Sequence, residues 1–189
     1  MGVAMTARLA QFVILVGPRG SGKTTLGHAL ARSIDSPVYD TDRMVEEVAG
    51  ESISRLWERG GERRFRDMES RVLQSLEALP RGVVSTGGGI VLDPGNCKIL
   101  RELGPVFYLH VPVEHLVSRL SSAFEKRPRL KEGLSLSEEV RQVTEERDPI
   151  YRSVANHVVE TASNSIQGTV EEILRTLRGS EAMVEEKNA

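Results

Sequence analysis

A glycine-rich segment early in the chain has the residue types that hold a triphosphate. Residues 17–24, GPRGSGKT, fit the pattern G-x-x-x-x-G-K-[ST], with an apolar segment before them and a helical pattern after them. The glycines let backbone N–H groups converge on phosphate oxygens, and a helix N-terminus adds positive potential. Lys23 would reach the β and γ phosphates, and Thr24 would offer its hydroxyl to Mg²⁺. The motif therefore predicts a nucleoside triphosphate site rather than a simple glycine-rich turn.

Two acids, Asp40 and Asp42, follow the second apolar segment in VYDTDRM at 38–44. If a strand ran through both, their side chains would face the same way, roughly 6–7 Å apart. At an effective dielectric constant of about 20, the two carboxylates would then repel by on the order of 2 kcal/mol. Nearby cations such as Mg²⁺ and Lys23 would offset that repulsion. The alternative interpretation is a solvated strand end followed by a helix N-cap.

A second glycine cluster follows the third apolar segment, in STGGGI at 85–90. Gly87, Gly88 and Gly89 carry no side chains, so a ligand could approach their backbone closely and be held by N–H groups. Open α/β sheets bind ligands at the carboxyl ends of their strands, where this cluster is expected to lie. The alternative is a flexible turn before the next helix.

Two arginines lie in segments with helical patterns. Arg66 belongs to ERRFRDME at 62–69, and Arg147 belongs to ERDPIY near the end of a later pattern. Either guanidinium could bind an anion. Arg66 could equally pair with Glu69 on the surface at i,i+3 spacing, and Arg147 could be an ordinary surface residue.

Residues 121–137 form a cationic segment in which Arg127 and Arg129 flank Pro128. This composition is typical of a mobile loop that closes over phosphates. A solvated surface loop is the alternative.

The elements that must position these residues alternate along the chain. Short β-branched segments alternate with helical patterns, which is typical of a parallel α/β sheet. Strands are predicted near 12–16, 37–40, 82–86, 105–111 and 156–160. Helices are predicted at 23–34, 53–59, 62–78, 113–120, 137–153 and 168–178, with one more opened by Asp93-Pro94 and closed by Gly104. We expect a single domain over 1–189, with flexible ends at 1–10 and 179–189 and a lid at about 121–137.

The composition narrows the possible partners and compartment. The net charge of −2 argues against a nucleic-acid or anionic-membrane surface, and the apolar run at 12–17 is too short to span a bilayer. A single cysteine, Cys97, excludes an internal disulfide and favours a reducing compartment. The opening MGVAMT matches a myristoylation pattern, but no polybasic second anchor follows. We therefore expect a cytoplasmic monomer that acts on a small molecule, without nucleic-acid or membrane partners.

Taken in order, the motifs resemble those of the shikimate kinase family over roughly residues 11–178. The resemblance rests on GPRGSGKTT, DTD at 40–42, E-x-x-F-R-x-x-E at 62–69, STGGG, R-P at 127–128 and R-x-P-x-Y at 147–151. It implies a P-loop NTPase-type three-layer sandwich, with a central five-stranded parallel sheet and helices on both faces. It also implies ATP-dependent phosphorylation of the 3-hydroxyl of shikimate, giving shikimate 3-phosphate and ADP in aromatic amino-acid (chorismate) biosynthesis.

The resemblance further assigns roles to individual residues. ATP would contact Gly20, Ser21, Gly22, Lys23, Thr24, Thr25, Arg119 and Arg127. Mg²⁺ would be held by Thr24 and Asp40, and shikimate by Asp42, Arg66, Gly87, Gly88, Gly89 and Arg147. Lys23, Asp42 and Arg127 would be catalytic. Arginine suits a carboxylate ligand because its planar guanidinium forms charge-assisted, often bidentate hydrogen bonds.

Two features depart from the family pattern, and two other functions compete. The loop TASNSIQG after the last strand lacks the arginine that the family often carries near adenine, and Arg129 is additional. A related carbohydrate kinase, such as one for gluconate, would share the P-loop. A catalytically silent nucleotide-binding regulator would be expected to lack some of the motif residues, and none is missing.

Overall fold

A five-stranded parallel sheet forms the centre of the computed structural model, which describes residues 11–122 and 133–187. The strands are β1 (Val13–Val16), β2 (Val38–Asp40), β3 (Val83–Ser85), β4 (Val106–His110) and β5 (His157–Glu160), in the order β2-β3-β1-β4-β5. All neighbouring strands are parallel; for example, Leu15 pairs with Ser85 on one side and with Phe107 on the other. Every strand therefore ends at the same edge of the sheet.

Helices cover both faces of the sheet. They are α1 (Lys23–Ser33), α2 (Thr41–Ala49), α3 (Ile53–Ser75), α4 (Pro94–Leu103), α5 (Val113–Ser122), α6 (Leu136–Val154) and α7 (Ile166–Lys187), with short 3₁₀ turns at Leu76–Ala78 and Ile90–Leu92. Alternate side chains of β1 point to opposite faces. Ile14 and Val16 pack with α3, α4 and α6, whereas Val13 and Leu15 pack with α1 and α7. The predicted three-layer α/β sandwich is confirmed.

A smaller apolar cluster is separate from the side chains that pack on the two faces of the sheet. Val45 of α2 packs with Ile53, Leu56 and Phe65 of α3, and Trp57 contacts the same cluster. Helix α3 is kinked at Gly61, where φ is 69° and ψ is −178°. Glycine adopts this left-handed φ without steric cost, so the break predicted at Gly60-Gly61 is confirmed as a kink.

Helix α2 is not predicted by the sequence pattern, and it corrects the geometry proposed for the two acids. The strand does not run through both residues, because β2 ends at Asp40 and the helix begins at Thr41. The apolar pattern of this helix is weak, because two of its nine residues are buried, Thr41 and Val45, and one of these is polar. Asp42 therefore lies in the first helical turn rather than two positions along a strand.

Other boundaries follow the prediction closely. Asp93 caps α4 with its side chain, Pro94 is the first helical residue and Gly104 ends the helix, as expected. Helix α7 continues to Lys187, beyond the predicted end at residue 178. None of the helices in the described ranges is long and apolar enough to cross a membrane. The predictions for residues 1–10 and for most of the lid, including Arg127 and Arg129, lie outside the described residues.

Candidate active site

The phosphate loop lies between β1 and α1, at the edge where the strands end. Gly20 and Gly22 have φ angles of 82° and 95°, which glycine adopts far more readily than other residues. The ammonium group of Lys23 folds back over the loop and donates to the carbonyls of Gly17 and Pro18, both at 2.9 Å, and to Ser21 Oγ at 3.3 Å. The loop therefore has a defined shape, with the lysine drawn across it.

A cavity of ≈ 490 Å³ opens beside this loop. Its size is in the range of nucleotide-sized ligand sites. It is lined by the predicted ATP contacts Gly20, Ser21, Gly22, Lys23, Thr24, Thr25 and Arg119, and also by Asp40, Asp42 and Gly88. Arg119 donates to the Gly20 carbonyl at 3.1 Å. The lining also includes Thr161, Asn164 and Ile166. Thr161 and Asn164 belong to the loop that lacks an arginine, and Ile166 is the first residue of α7.

Asp40 makes two kinds of contact with its two carboxylate oxygens. Oδ2 accepts a hydrogen bond from the Thr24 hydroxyl at 2.9 Å, and Oδ1 accepts hydrogen bonds from the backbone N–H groups of Asp42 and Arg43 at the start of α2. The helix N-cap interpretation is therefore correct for Asp40, and it coexists with a contact to the phosphate loop. A hydroxyl beside a carboxylate is an oxygen donor set that suits Mg²⁺.

A second, smaller cavity of ≈ 100 Å³ adjoins the first. It is lined by all the predicted substrate contacts, Asp42, Arg66, Gly87, Gly88, Gly89 and Arg147, together with apolar side chains that include Ile53, Trp57, Phe65 and Val143. Arg19, Asp42 and Gly88 line both cavities. The two sets of residues that the sequence predicts for nucleotide and substrate thus meet along a common wall.

Arg66 is held by two carboxylates on its own helix. It donates to Glu69 at 2.8 Å and to Glu62 at 3.0 Å. Glu69 is only 1% exposed, so the alternative of a surface pair is wrong for this partner. The pairing nevertheless leaves Arg66 on the wall of the small cavity. Its guanidinium group therefore reaches the cavity in a fixed orientation.

Glu69 is a pocket residue that sequence reasoning missed. Its Oε1 atom is buried with no hydrogen-bond partner among residues 11–122 and 133–187, while Oε2 accepts from Arg66. Burial raises the pKa of the Glu69 carboxyl, and the charge of Asp42 adds to this effect, whereas Arg66 and Arg147 oppose it. Its i,i+3 spacing from Arg66 was visible in the sequence, but burial depends on how α3 packs.

The glycines after β3 allow side chains from other elements to approach the backbone. A Cβ atom on Gly87 would lie 2.6 Å from Asp42 Oδ1 and 2.7 Å from Glu69 Oε1, and one on Gly89 would overlap the guanidinium of Arg66. The backbone N–H of Gly87 also donates to Thr41 Oγ1 at 2.9 Å. The protein's own carboxylates and guanidinium thus lie close to this backbone, and the ligand contact expected at the cluster stays a prediction.

The raised pKa of Glu69 leads to a prediction about stability and pH. Because the folded pKa lies above the ordinary value of 4.5, ionising Glu69 costs more in the folded than in the unfolded chain. Wild type should therefore lose stability as pH rises from 4.5 through the raised pKa, whereas Glu69→Gln has no such titration. In urea unfolding, the free energy of unfolding of Glu69→Gln minus that of wild type should therefore increase between pH 4.5 and pH 8. A gap that stays constant or shrinks over this range would contradict the assigned shift.

The fold and the two adjoining cavities define the class of protein as a P-loop kinase for a small molecule. A family model described as shikimate kinase matches residues 19–178. By this match and by its relatives, the chain belongs to the shikimate kinase family. It is accordingly an enzyme that phosphorylates shikimate with ATP, and the predicted family is confirmed.

The relatives are similar over nearly their whole length. Shikimate kinase 2 from Enterobacter sp. (strain 638) is 43% identical over 172 residues, which cover 90% of this chain and 97% of the relative. The structure of shikimate kinase from Acinetobacter baumannii in complex with shikimate aligns with a TM-score of 0.86 at 32% identity, over 94% of this chain and 98% of that one. A gluconokinase from Sinorhizobium meliloti 1021 aligns with a TM-score of 0.63 at 18% identity, a likeness of fold alone.

Proposed function

We propose that the chain transfers the γ-phosphoryl group of ATP to the 3-hydroxyl of shikimate, giving shikimate 3-phosphate and ADP for aromatic amino-acid biosynthesis. The observation that carries this proposal is the common wall of the two cavities, formed by Arg19, Asp42 and Gly88. Phosphoryl transfer depends mainly on holding the acceptor in line with the phosphate and on neutralising charge. A triphosphate in the larger cavity and an acceptor in the smaller one would meet at this wall.

The smaller cavity suits a ring that carries one carboxylate and several hydroxyls. Arg66 and Arg147 both line it, and planar guanidinium groups bind carboxylates through charge-assisted hydrogen bonds. Trp57 and Phe65 supply apolar surface on which the carbon ring can pack, and their rings lie 5.9 Å apart. The backbone of Gly87, Gly88 and Gly89 completes the wall. We assign the shikimate carboxylate to the two arginines.

Asp42 is the carboxylate that we assign to the acceptor hydroxyl. It lines both cavities, and the first turn of α2 places it next to Gly87. A carboxylate there can accept a hydrogen bond from the attacking hydroxyl and take up its proton. A loose transition state makes full proton removal less necessary, so orientation is the larger part of this role.

The larger cavity supplies the groups for ATP and Mg²⁺. We assign the phosphates to the loop residues Gly20 to Thr25 and to the ammonium of Lys23, and the metal to the Thr24 hydroxyl supported by Asp40. When bound, Mg²⁺ would neutralise charge on the phosphates. Arg119 on the cavity wall is assigned to the base. Arg127 lies outside the described residues, and its role in closing over the phosphates stays a prediction from sequence.

The proposal predicts ADP release that depends on shikimate. In a coupled assay with Mg·ATP, purified protein should release ADP with shikimate about tenfold or more faster than with gluconate or with no acceptor. A site that pairs its buried polar groups with one acceptor rejects another that leaves them unpaired. Equal rates with gluconate would favour the carbohydrate kinase. ATP binding without turnover on any acceptor would favour the silent regulator.

We also propose that the chain is a single-domain monomer that works in the cytoplasm on small molecules alone. The near-neutral net charge of −2 supports the absence of nucleic-acid and anionic-membrane partners, and the single cysteine suits a reducing compartment. Light scattering on the purified protein is the direct measure of its mass in solution.

A further inference from the structure

Gly88 is the part of the common wall that touches the phosphate loop. A Cβ atom on Gly88 would lie 3.4 Å from the backbone nitrogen of Arg19 and 3.4 Å from the carbonyl oxygen of Gly17. The residue therefore packs against the loop on one side while lining the smaller cavity on the other. A displacement of the Gly88 peptide would therefore change how far a ligand in the smaller cavity lies from the phosphate loop.

The carbonyl oxygen of Gly88 is held by two residues of α6. Arg147 donates to it from Nη1 at 3.3 Å, and the hydroxyl of Tyr151 donates to the same oxygen. The two residues are four apart, so they lie on one face of the helix. Burial raises the pKa of Tyr151 to about 12, and its hydroxyl therefore remains a donor at neutral pH.

The ring of Tyr151 is itself fixed. It is fully buried and stacks on Tyr108, with the ring centroids 4.9 Å apart and the planes at 26°. Tyr108 donates to Asp148 Oδ1 at 2.8 Å, and Arg152 donates to Asp148 Oδ2 at 2.7 Å. Tyr151 thus projects its hydroxyl from a rigid stack on the sheet rather than from a surface side chain.

A proline between the two donors makes this contact more important. Pro149 lies inside α6 between the two donors and has no N–H, so the carbonyl of Glu145, one turn earlier, lacks its i to i−4 hydrogen bond. Side-chain contacts must then supply part of the order of the last turns. The bond from Tyr151 to Gly88 ties this end of the helix to the loop after β3.

We propose that Tyr151 is a positioning residue for phosphoryl transfer, which sets the Gly88 peptide and the Arg147 guanidinium against the phosphate loop. The proposal rests on the proposed function, because it takes the smaller cavity as the shikimate site. Tyr151 itself lies behind the wall and has no contact with the substrate in this assignment. Its effect is on the distance and angle at which the acceptor meets the γ-phosphate, to which transfer rates are sensitive.

The chain offers a matched pair of substitutions to test this. Tyr151→Phe and Tyr108→Phe each remove one hydroxyl from the same stacked pair and keep both rings, so both variants should fold. Tyr151→Phe should raise the KM for shikimate or lower kcat, with a combined loss in kcat/KM of about five- to tenfold, the size of one hydrogen bond. The KM for ATP should change less than about twofold. Tyr108→Phe should keep kcat/KM for shikimate within about twofold of wild type, although its melting temperature falls.

The melting temperatures of both variants measure how much each hydroxyl contributes to stability alone. A loss of kcat/KM in Tyr151→Phe that exceeds the loss in Tyr108→Phe, at similar melting temperatures, supports positioning. Equal losses in the two variants, or normal kinetics in Tyr151→Phe, would overturn it. Either result is distinct from failure of the proposed function, since that would appear as wild-type protein without shikimate-dependent ADP release.

Discussion

Asp42→Asn should lower kcat for shikimate phosphorylation by about 100-fold or more, because the neutral amide orients the attacking hydroxyl less firmly than a carboxylate and cannot take up its proton. The KM for shikimate should also rise, since a charge-assisted hydrogen bond to the substrate is lost. The side chain keeps its size, so the first turn of α2 and its packing beside Gly87 should survive. The KM for Mg·ATP should stay within about twofold of wild type. Steady-state kinetics with each substrate varied in turn measure all three quantities.

Asp93→Asn is the matched control for this substitution. Asp93 caps α4 in the loop region after β3, where its carboxylate accepts the N–H of Asn96 at 3.0 Å. It is absent from the walls of both cavities. Asparagine caps helices about as well as aspartate, so this variant should be active. A normal kcat in Asp42→Asn, or an equal fall in both variants, would remove Asp42 from the chemistry.

The positions of the predicted site residues could be inferred from sequence because each motif is local. The phosphate loop needs only glycines, a lysine and a threonine at fixed spacing after a strand, and parallel pairing brings the ends of β1, β2 and β3 to one edge. Residues carried at those ends had to be neighbours. This is why Thr24 and Asp40, sixteen residues apart, meet at 2.9 Å as a sequence argument would expect.

What could not be inferred depends on packing between distant elements. From its spacing alone, Glu69 would be expected to form a surface pair with Arg66. The packing of α3 instead buries one of its oxygens near Asp42. The contact from Tyr151 to the carbonyl of Gly88 joins residues 63 apart, and no spacing rule connects them. Trp57 lines the pocket through a cluster of α2 and α3 side chains, and α2 has too few buried positions to be predicted from its pattern.

The geometry of the two acids shows how a local rule can fail although both residues still reach the candidate site, where their roles stay a proposal. Alternation along a strand would place Asp40 and Asp42 on the same face, but the strand ends between them. Because Asp42 lies in the first turn of α2, its carboxylate lies beside Gly87, whereas that of Asp40 contacts Thr24. Asp40 remains with Thr24 on the wall of the larger cavity, and Asp42 reaches the wall that both cavities share. The division of roles proposed for them therefore has a structural basis that the strand model lacked.

Asp40→Asn should fail in a different way, by raising the Mg²⁺ concentration needed for half-maximal activity. In wild type the Thr24 hydroxyl donates a hydrogen bond to Asp40 Oδ2, so the lone pairs of Thr24 Oγ1 can face a cation. Asparagine can still cap α2 with its carbonyl oxygen, but its amide nitrogen would then point at Thr24 and donate to the oxygen that the metal needs. Loss of the negative charge acts in the same direction. Partners behind metal ligands typically contribute 10- to 100-fold in metal affinity, and we expect a shift of about that size.

The separating measurement is shikimate binding without nucleotide or metal. Trp57 is the single tryptophan of the sequence and lines the smaller cavity, so its fluorescence should report shikimate directly. Asp40→Asn should bind shikimate with an affinity within about twofold of wild type, because Arg66, Arg147 and Asp42 are intact, whereas Asp42→Asn should bind it more weakly by about five- to tenfold. Magnesium titrations should rank the two variants in the opposite order. If both variants shifted both titrations by the same factors, the two carboxylates would share one role, and the division between metal and acceptor would be wrong.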